Sequence, residues 1–240
     1  MSLRNSVVDN GTDLVIFDCD GVLVDSERIA NRVFCEMLNE LGLHVSLQDM
    51  FDRFVGLSMP QCVELIAEMH GEPPPPTFVA ELRQRTAPAL KAEIEPVRGV
   101  AEVLAKLRVP YCVASSGEHE KIRLTLGATG LLKYFEGRIF SVADVENPKP
   151  APDVFLFAAS QLGANPSACV VIEDTPVGVR AAVAAGMTAL GFAANTPAHR
   201  LTSAGAHAVF SEMRQLTALL ALQSRPALRS FPPAVVTPQR

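Results

Sequence analysis

No stretch of the chain approaches the roughly 18 consecutive apolar residues that a membrane-spanning helix needs, so none is expected and a membrane partner is not inferred. The N-terminus carries no charged-then-apolar leader, which argues against secretion. Cys-x-x-Cys pairs are missing as well. The five cysteines, Cys19, Cys35, Cys62, Cys112 and Cys169, are scattered and odd in number. They read as reduced, mostly buried thiols of a cytoplasmic protein. Positive charge is not in excess: the net charge of -5 argues against a nucleic-acid partner, because phosphate backbones are gripped by clustered Lys and Arg. Neither G-x-G-x-x-G nor G-x-x-x-x-G-K occurs, which sets aside a nucleotide-binding kinase. What the chain does have is ordinary globular material, 48% hydrophobic and 20% charged, enough for a real core. At 240 residues it suits one large α/β domain, or a core with a modest insertion.

The run Leu14-Val15-Ile16-Phe17 is short, apolar and rich in β-formers, and Asp18-Cys19-Asp20-Gly21 stops it. A strand buried on both faces of a parallel sheet reads this way. Similar runs recur at Tyr111 to Ala114, Arg138 to Ser141, Ala168 to Ile172, Thr188 to Phe192 and Ala206 to Phe210. Helical patterns at Ala101 to Leu107, Glu118 to Leu126, Asp153 to Leu162 and Val177 to Ala185 separate the later ones. Strands alternating with helices predict βαβ units and an α/β fold with a Rossmann-like parallel sheet. The rhythm breaks after the first strand. Ile29, Val33 and Met37, with Phe34, Leu38 and Leu41, share one helical face, and Gly42 closes that helix. Further helices are expected over Gln48 to Val55, Gln61 to His70 and from a Thr77 cap toward Lys91, with the stiff spacer Pro73 to Pro76 between the last two. The expected organisation is a discontinuous core, 13–26 and 98–223, an all-helical insertion, 27–97, and flexible termini, 1–12 and 224–240.

Four segments at strand ends carry the chemical signal. Asp18 and Asp20, two residues apart at the exit of an extended strand, can point the same way, although Asp and Gly are also good turn residues. The segment Ser115-Ser116-Gly117 puts a hydroxyl and backbone N–H groups ahead of a helix, suited to an anion or simply a cap. Lys149 sits between Pro148 and Pro150, which predicts a rigid, extended lysine, where most surface lysines are solvated. Glu173 and Asp174 end another apolar strand, and one of them is also a candidate cap for the helix from Pro176. Cys19 lies between the aspartates and is expected to face the sheet packing, with no chemical role.

With acid pair, serine, lysine and second acid pair in that order, the chain resembles the haloacid dehalogenase superfamily, in the subclass with a helical cap inserted after the first motif. The resemblance covers about residues 13 to 223. It implies a phosphatase with Asp18 as nucleophile, forming an aspartyl-phosphate, and Asp20 as general acid and base. It implies a Mg²⁺ cofactor held by the Asp18 side chain, the Asp20 carbonyl and Asp174, with Glu173 either on the metal or orienting its waters. Ser115, Lys149, Ser116 and Gly117 would hold the transferring oxygens, and Lys149 would shield Asp18. The linkers after Asp25-Ser26 and near Pro96 to Gly99 would hinge the cap.

Within the superfamily, dehalogenases lack an acid at the Asp20 position, and phosphonate-cleaving relatives use a cap lysine, which residues 26–90 do not contain. The stretch Phe51 to Met59 is similar to the specificity loop of the β-phosphoglucomutase-like branch. There Met59 replaces the arginine a mutase uses, and Ile29-Ala30-Asn31 lacks its histidine. Arg53 and Gly56 remain the candidate substrate contacts, although a surface salt bridge explains Arg53 equally well. The pattern is most similar to bacterial sugar-phosphate phosphatases acting on substrates such as 6-phosphogluconate, in a monomer or weak dimer. The alternatives are mutase-type phosphoryl transfer or a non-catalytic regulatory protein on the same fold.

Overall fold

A computed structural model describes residues 11–54, 57 and 59–220. Of the termini expected to be flexible, all but Gly11 and Thr12 at one end, and all of 224–240 at the other, lie outside the described residues. The chain forms two compact units: residues up to Val24 together with those from Pro96 onward, and Asp25–Glu95.

The first strand, β1 (Leu14–Phe17), is buried along its whole length. The chain then passes through α1 (Glu27–Glu40), α2 (Leu47–Asp49) running into a π-helical turn at Met50–Phe54, α3 (Met59–His70) and α4 (Phe78–Glu93). It continues as α5 (Val100–Lys106), β2 (Tyr111–Ser115), α6 (His119–Ala128), β3 (Ile139–Ser141), α7 (Asp153–Gln161), β4 (Cys169–Glu173), α8 (Pro176–Ala184), β5 (Thr188–Phe192), α9 (Ala198–Ser203), β6 (Ala208–Phe210) and α10 (Leu216–Leu219).

The strands form one six-stranded parallel sheet in the order β3-β2-β1-β4-β5-β6. β1 lies at its centre, with Ile16 level with Cys112 on one side and Val171 on the other. Leu14 and Ile16 pack with Val154, Phe155 and Ala158 of α7 and Val179 and Ala182 of α8. Val15 and Phe17 take the opposite face by the alternation of a strand, where Phe17 meets the rings of Tyr111 and Phe135 edge-on, each at 6.3 Å. Both faces are therefore apolar, which explains the continuous hydrophobic run. The order of strand addition reverses between β1 and β4. In open parallel sheets, that switch point leaves a crevice beyond the strand ends.

The helical insertion has its own core. Phe34 of α1 packs against Phe54 and Phe78, with ring centroids 5.4 and 5.9 Å apart, among Val33, Leu38, Ile66 and Leu82. α1 ends in a Schellman closure: Gly42, at φ 89°, donates to Asn39 O, and Leu43 donates to Leu38 O. Ion pairs Arg32–Glu93 and Arg85–Glu40, both 2.7 Å, join α1 to α4. Thr77 precedes α4, but its side chain makes no capping bond. Among the described residues, no helix is long and apolar enough to cross a membrane.

Candidate active site

The Asp18 N–H donates to Ile172 O at 3.0 Å, carrying the β1–β4 ladder one step past the strand and seating the carboxyl at the switch point. The chain then turns back: Leu23 N–H reaches Cys19 O and Gly21 N–H reaches Val24 O, both at 2.9 Å. Gly21 has φ 75°, a conformation that L side chains rarely adopt. A Cβ there would also lie 2.0 Å from Asp174 Oδ2, so the Asp174 carboxyl rests directly on this loop. Cys19 is buried with its Sγ 3.8 Å from Thr125 Oγ1, and burial pushes its thiol well above the usual range. That is the inert cysteine expected from its position.

Lys149 lies in a tight turn, not in the extended segment its flanking prolines suggest. Ala151 N–H closes the turn onto Pro148 O at 3.0 Å, and the Lys149–Pro150 peptide is cis. The ammonium is almost fully buried. It donates to Asp18 Oδ1 at 2.7 Å, Glu173 Oε1 at 2.8 Å and Ala114 O at 3.2 Å, and sits 4.6 Å from the Phe155 ring centroid. An ammonium has three donors, and these partners use all three. Burial works against its charge, but Asp18 and Glu173 outweigh burial and hold Lys149 above the ordinary lysine range. Burial also pushes the Asp18 carboxyl up to about 7, opposed by Lys149 and aided by Glu173.

The end of β2 contributes Ser115, buried, whose Oγ accepts from Gly117 N–H at 3.1 Å. Ser141 Oγ donates to Gly117 O at 2.7 Å, pinning the same loop from β3. Ser116 is exposed and Gly117 partly so, ahead of the first turn of α6. Three groups escaped the sequence reading. Lys121 of α6 donates to Asp20 Oδ2 at 2.7 Å. Thr175 grips Glu173 Oε2 through both its N–H (3.1 Å) and its hydroxyl (2.9 Å). Gly178 lies so close to the Glu173 carboxyl that a Cβ there would be 1.8 Å away. Asp18, Asp20, Ser115, Lys149, Glu173 and Asp174 are thus gathered at the ends of β1, β2 and β4. Arg53 belongs to the other unit, exposed in its π-helical turn, and Gly56 lies outside the described residues.

The donor set at Asp18, the Asp20 carbonyl and Asp174 is all oxygen. Among the described residues, no group of three or more His, Cys, Asp and Glu side chains is placed to enclose a metal by itself. Two carboxylates with a carbonyl suit Mg²⁺, which keeps several waters and takes substrate phosphate as a further ligand. The bare Gly21 backbone under Asp174 keeps the acid against the loop that carries the carbonyl. These residues fit such an ion.

The family model for haloacid dehalogenase-like hydrolases matches residues 15–192. The 6-phosphogluconate phosphatase of Escherichia coli is 30% identical over 184 residues, covering 76% of this chain and 83% of the relative. The fructose-1-phosphate phosphatase YqaB of the same organism is 32% identical over 178 residues, covering 73% of this chain and 94% of the relative. Among solved structures, a haloacid dehalogenase family hydrolase from Deinococcus radiodurans, with bound phosphate and sodium, superposes with a TM-score of 0.80 at 36% identity. It covers 89% of this chain and 96% of that one.

Proposed function

The chain belongs to the haloacid dehalogenase-like hydrolases and is a phosphoric monoester hydrolase, and from that premise we propose a Mg²⁺-dependent phosphatase acting on a small sugar phosphate such as 6-phosphogluconate. The observation that carries this reading is the buried Asp18 carboxyl, held by Lys149 at the switch point of the sheet with Asp20 two residues on. The named activities of the two Escherichia coli relatives support the substrate class.

In this reading, Asp18 attacks phosphorus, a phosphate–aspartyl bond forms, and the bond to the sugar oxygen breaks. Asp20 gives its proton to the departing alkoxide. It then takes a proton from the water that attacks the aspartyl-phosphate, which frees inorganic phosphate and restores Asp18. Lys149, at 2.7 Å, keeps a positive charge beside the nucleophile as negative charge gathers on the transferring group. The Ser115 hydroxyl and the Ser116 N–H receive the phosphoryl oxygens, with Gly117 at the same loop orienting the Ser115 oxygen through its N–H. The Asp18 side chain, the Asp20 carbonyl and Asp174 would hold Mg²⁺, which when bound would supply the charge that lets a phosphate dianion approach two carboxylates. Arg53 and Gly56 are the residues assigned to choice of the sugar.

The test is a phosphate-release screen with Mg²⁺ over 6-phosphogluconate, hexose phosphates, pentose phosphates and nucleotides. Release from a sugar phosphate is expected, with Asp18→Asn and Asp20→Asn each lowering kcat by about a thousandfold or more. A folded protein that releases phosphate from none of them overturns the reading. So does conversion of β-glucose 1-phosphate into glucose 6-phosphate without release, which is mutase behaviour.

A further inference from the structure

The segment that leads β2 into α6 carries the Ser115 hydroxyl and the Ser116 N–H, yet α6 has no side-chain cap of its own: Glu118 precedes it and makes no capping bond. Its anchors come from β3. Ser141 lies level with Ser115 across the β2–β3 ladder and is fully buried. Its Oγ accepts from Ala143 N–H at 3.0 Å and turns its one hydrogen to Gly117 O, 2.7 Å away. The strand then runs into a tight turn, Val142–Asp144. Asp144 Oδ2 accepts from Ser141 N–H at 2.9 Å. The same carboxylate faces His119, the first residue of α6, whose Nε2 lies 2.8 and 2.9 Å from its two oxygens. A carboxylate only accepts, so the ring hydrogen of this contact is on Nε2. One short turn after β3 thus holds both ends of Gly117–His119. A buried hydroxyl holds one end and a partly exposed acid–imidazole pair the other.

We propose that Ser141, Asp144 and His119 are positioning residues, a clasp that sets the direction of the Ser115–Gly117 loop and the placement of the first turn of α6. Within the loop, Gly117 N–H meets Ser115 Oγ at 3.1 Å. A glycine in mid-loop leaves the backbone free to swing, so the direction of the Ser116 N–H depends on what grips Gly117 from outside. The clasp reaches further along α6. Lys121 lies two residues beyond His119, and its ammonium meets Asp20 Oδ2 at 2.7 Å. Successive residues of a helical turn are hydrogen-bonded into one piece, so fixing His119 fixes the stem of Lys121. A partly exposed acid–imidazole pair adds little to stability. A misplacement of about 1 Å beside reacting groups, by contrast, costs on the order of a hundredfold in rate. The value of the pair therefore lies in kinetics. This inference rests on the phosphatase reading for its catalytic meaning; the tether itself is testable without substrate.

Two measurements on the full chain decide it. The first is ¹⁵N relaxation of the Ser116, Gly117 and His119 N–H groups without substrate. His119→Ala and Ser141→Ala are each expected to lower their order parameters from the roughly 0.85 of rigid backbone toward about 0.6. His119→Gln, whose amide still donates to Asp144, is expected to stay near the unmodified value. His119 is on the surface, so its variants carry the test if Ser141→Ala does not fold. The second is kcat/KM for phosphate release. His119→Ala is expected to lower it by about tenfold, equally for phosphates of different sugars because all share the phosphoryl group, with the urea midpoint unchanged and His119→Gln recovering most of the loss. Since His119 acts through Asp144, adding His119→Ala to Asp144→Ala is expected to cost about twofold or less beyond Asp144→Ala alone. Unchanged order parameters in His119→Ala overturn the proposal. So do losses that add in full in the double variant, a loss confined to one sugar, or a lower urea midpoint with kcat/KM intact. An unmodified chain that releases phosphate from no substrate overturns the phosphatase reading, while the order parameters still decide the clasp.

Discussion

Lys121 sits on the third residue of α6 with its ammonium 2.7 Å from Asp20 Oδ2, and nothing in its local sequence advertises that contact. In the proposed mechanism Asp20 moves protons, so a lysine that sets its direction matters most when the leaving group needs a proton. A sugar alkoxide does; p-nitrophenolate hardly does. Lys121→Met is therefore expected to lower kcat/KM for a sugar phosphate by about tenfold or more and for p-nitrophenyl phosphate by about twofold, with Lys121→Arg recovering most of the loss. Equal losses on both substrates would show that Lys121 does not act through Asp20. Gly21 gives a second residue-scale prediction. Gly21→Ala places a methyl 2.0 Å from Asp174 Oδ2 at φ 75°. The left-handed strain alone costs about 1–2 kcal/mol, and the displaced Asp174 is expected to weaken Mn²⁺ binding by about 10–100-fold. A folded variant that binds Mn²⁺ normally would remove Asp174 from the cation site.

The elements show where sequence reading succeeds and where it stops. Strands such as Leu14–Phe17 and Thr188–Phe192 were legible because burial on both faces leaves an unbroken apolar run between turn residues. The termination of α1 was legible from Gly42 alone, since few other residues accept φ 89°. Gly42→Ala meets no neighbour within 4 Å, so only the backbone strain is charged, and urea denaturation is expected to show a loss of about 1 kcal/mol. A larger loss would reveal packing at the helix end. By contrast, α9 left no readable signal, being six residues with Leu201 alone buried, too little for any periodicity. The acids, the serine and the lysine were legible because each ends a strand or precedes a helix. Lys121, Thr175 and Gly178 were not, because their roles depend on side-chain direction and on partners fixed only by folding. Lys121 meets an acid 101 residues away, and Gly178 matters for the atom it lacks. The extended reading of Lys149 failed for a similar reason: prolines on both sides restrict the backbone, but a turn and an extended segment both satisfy them.

Across the whole molecule, the residues gathered at the strand ends all belong to one compact unit, and the 71 residues of Asp25–Glu95 form the other. The chain leaves and re-enters the catalytic unit at adjacent points: Val97 N–H donates to Leu23 O at 2.9 Å, and Val24 forms an antiparallel bridge with Pro96. Because those ends already touch, a short Gly-Ser link in place of Asp25–Glu95 adds little closure entropy and leaves the parallel sheet and its site residues intact. The apolar cluster under β1 draws on α7 and α8, not on the insertion, so the shortened chain is expected to unfold cooperatively and to bind Mn²⁺ within about threefold of the full protein. Phosphate release from p-nitrophenyl phosphate is expected to persist at reduced kcat. The ratio of kcat/KM between preferred and poor sugar phosphates is expected to collapse toward one, since a selector that touches the sugar contributes only to that ratio. Retained discrimination would move sugar choice onto the strand-end loops. Loss of folding would show that the sheet depends on the insertion for stability as well as for choice of substrate.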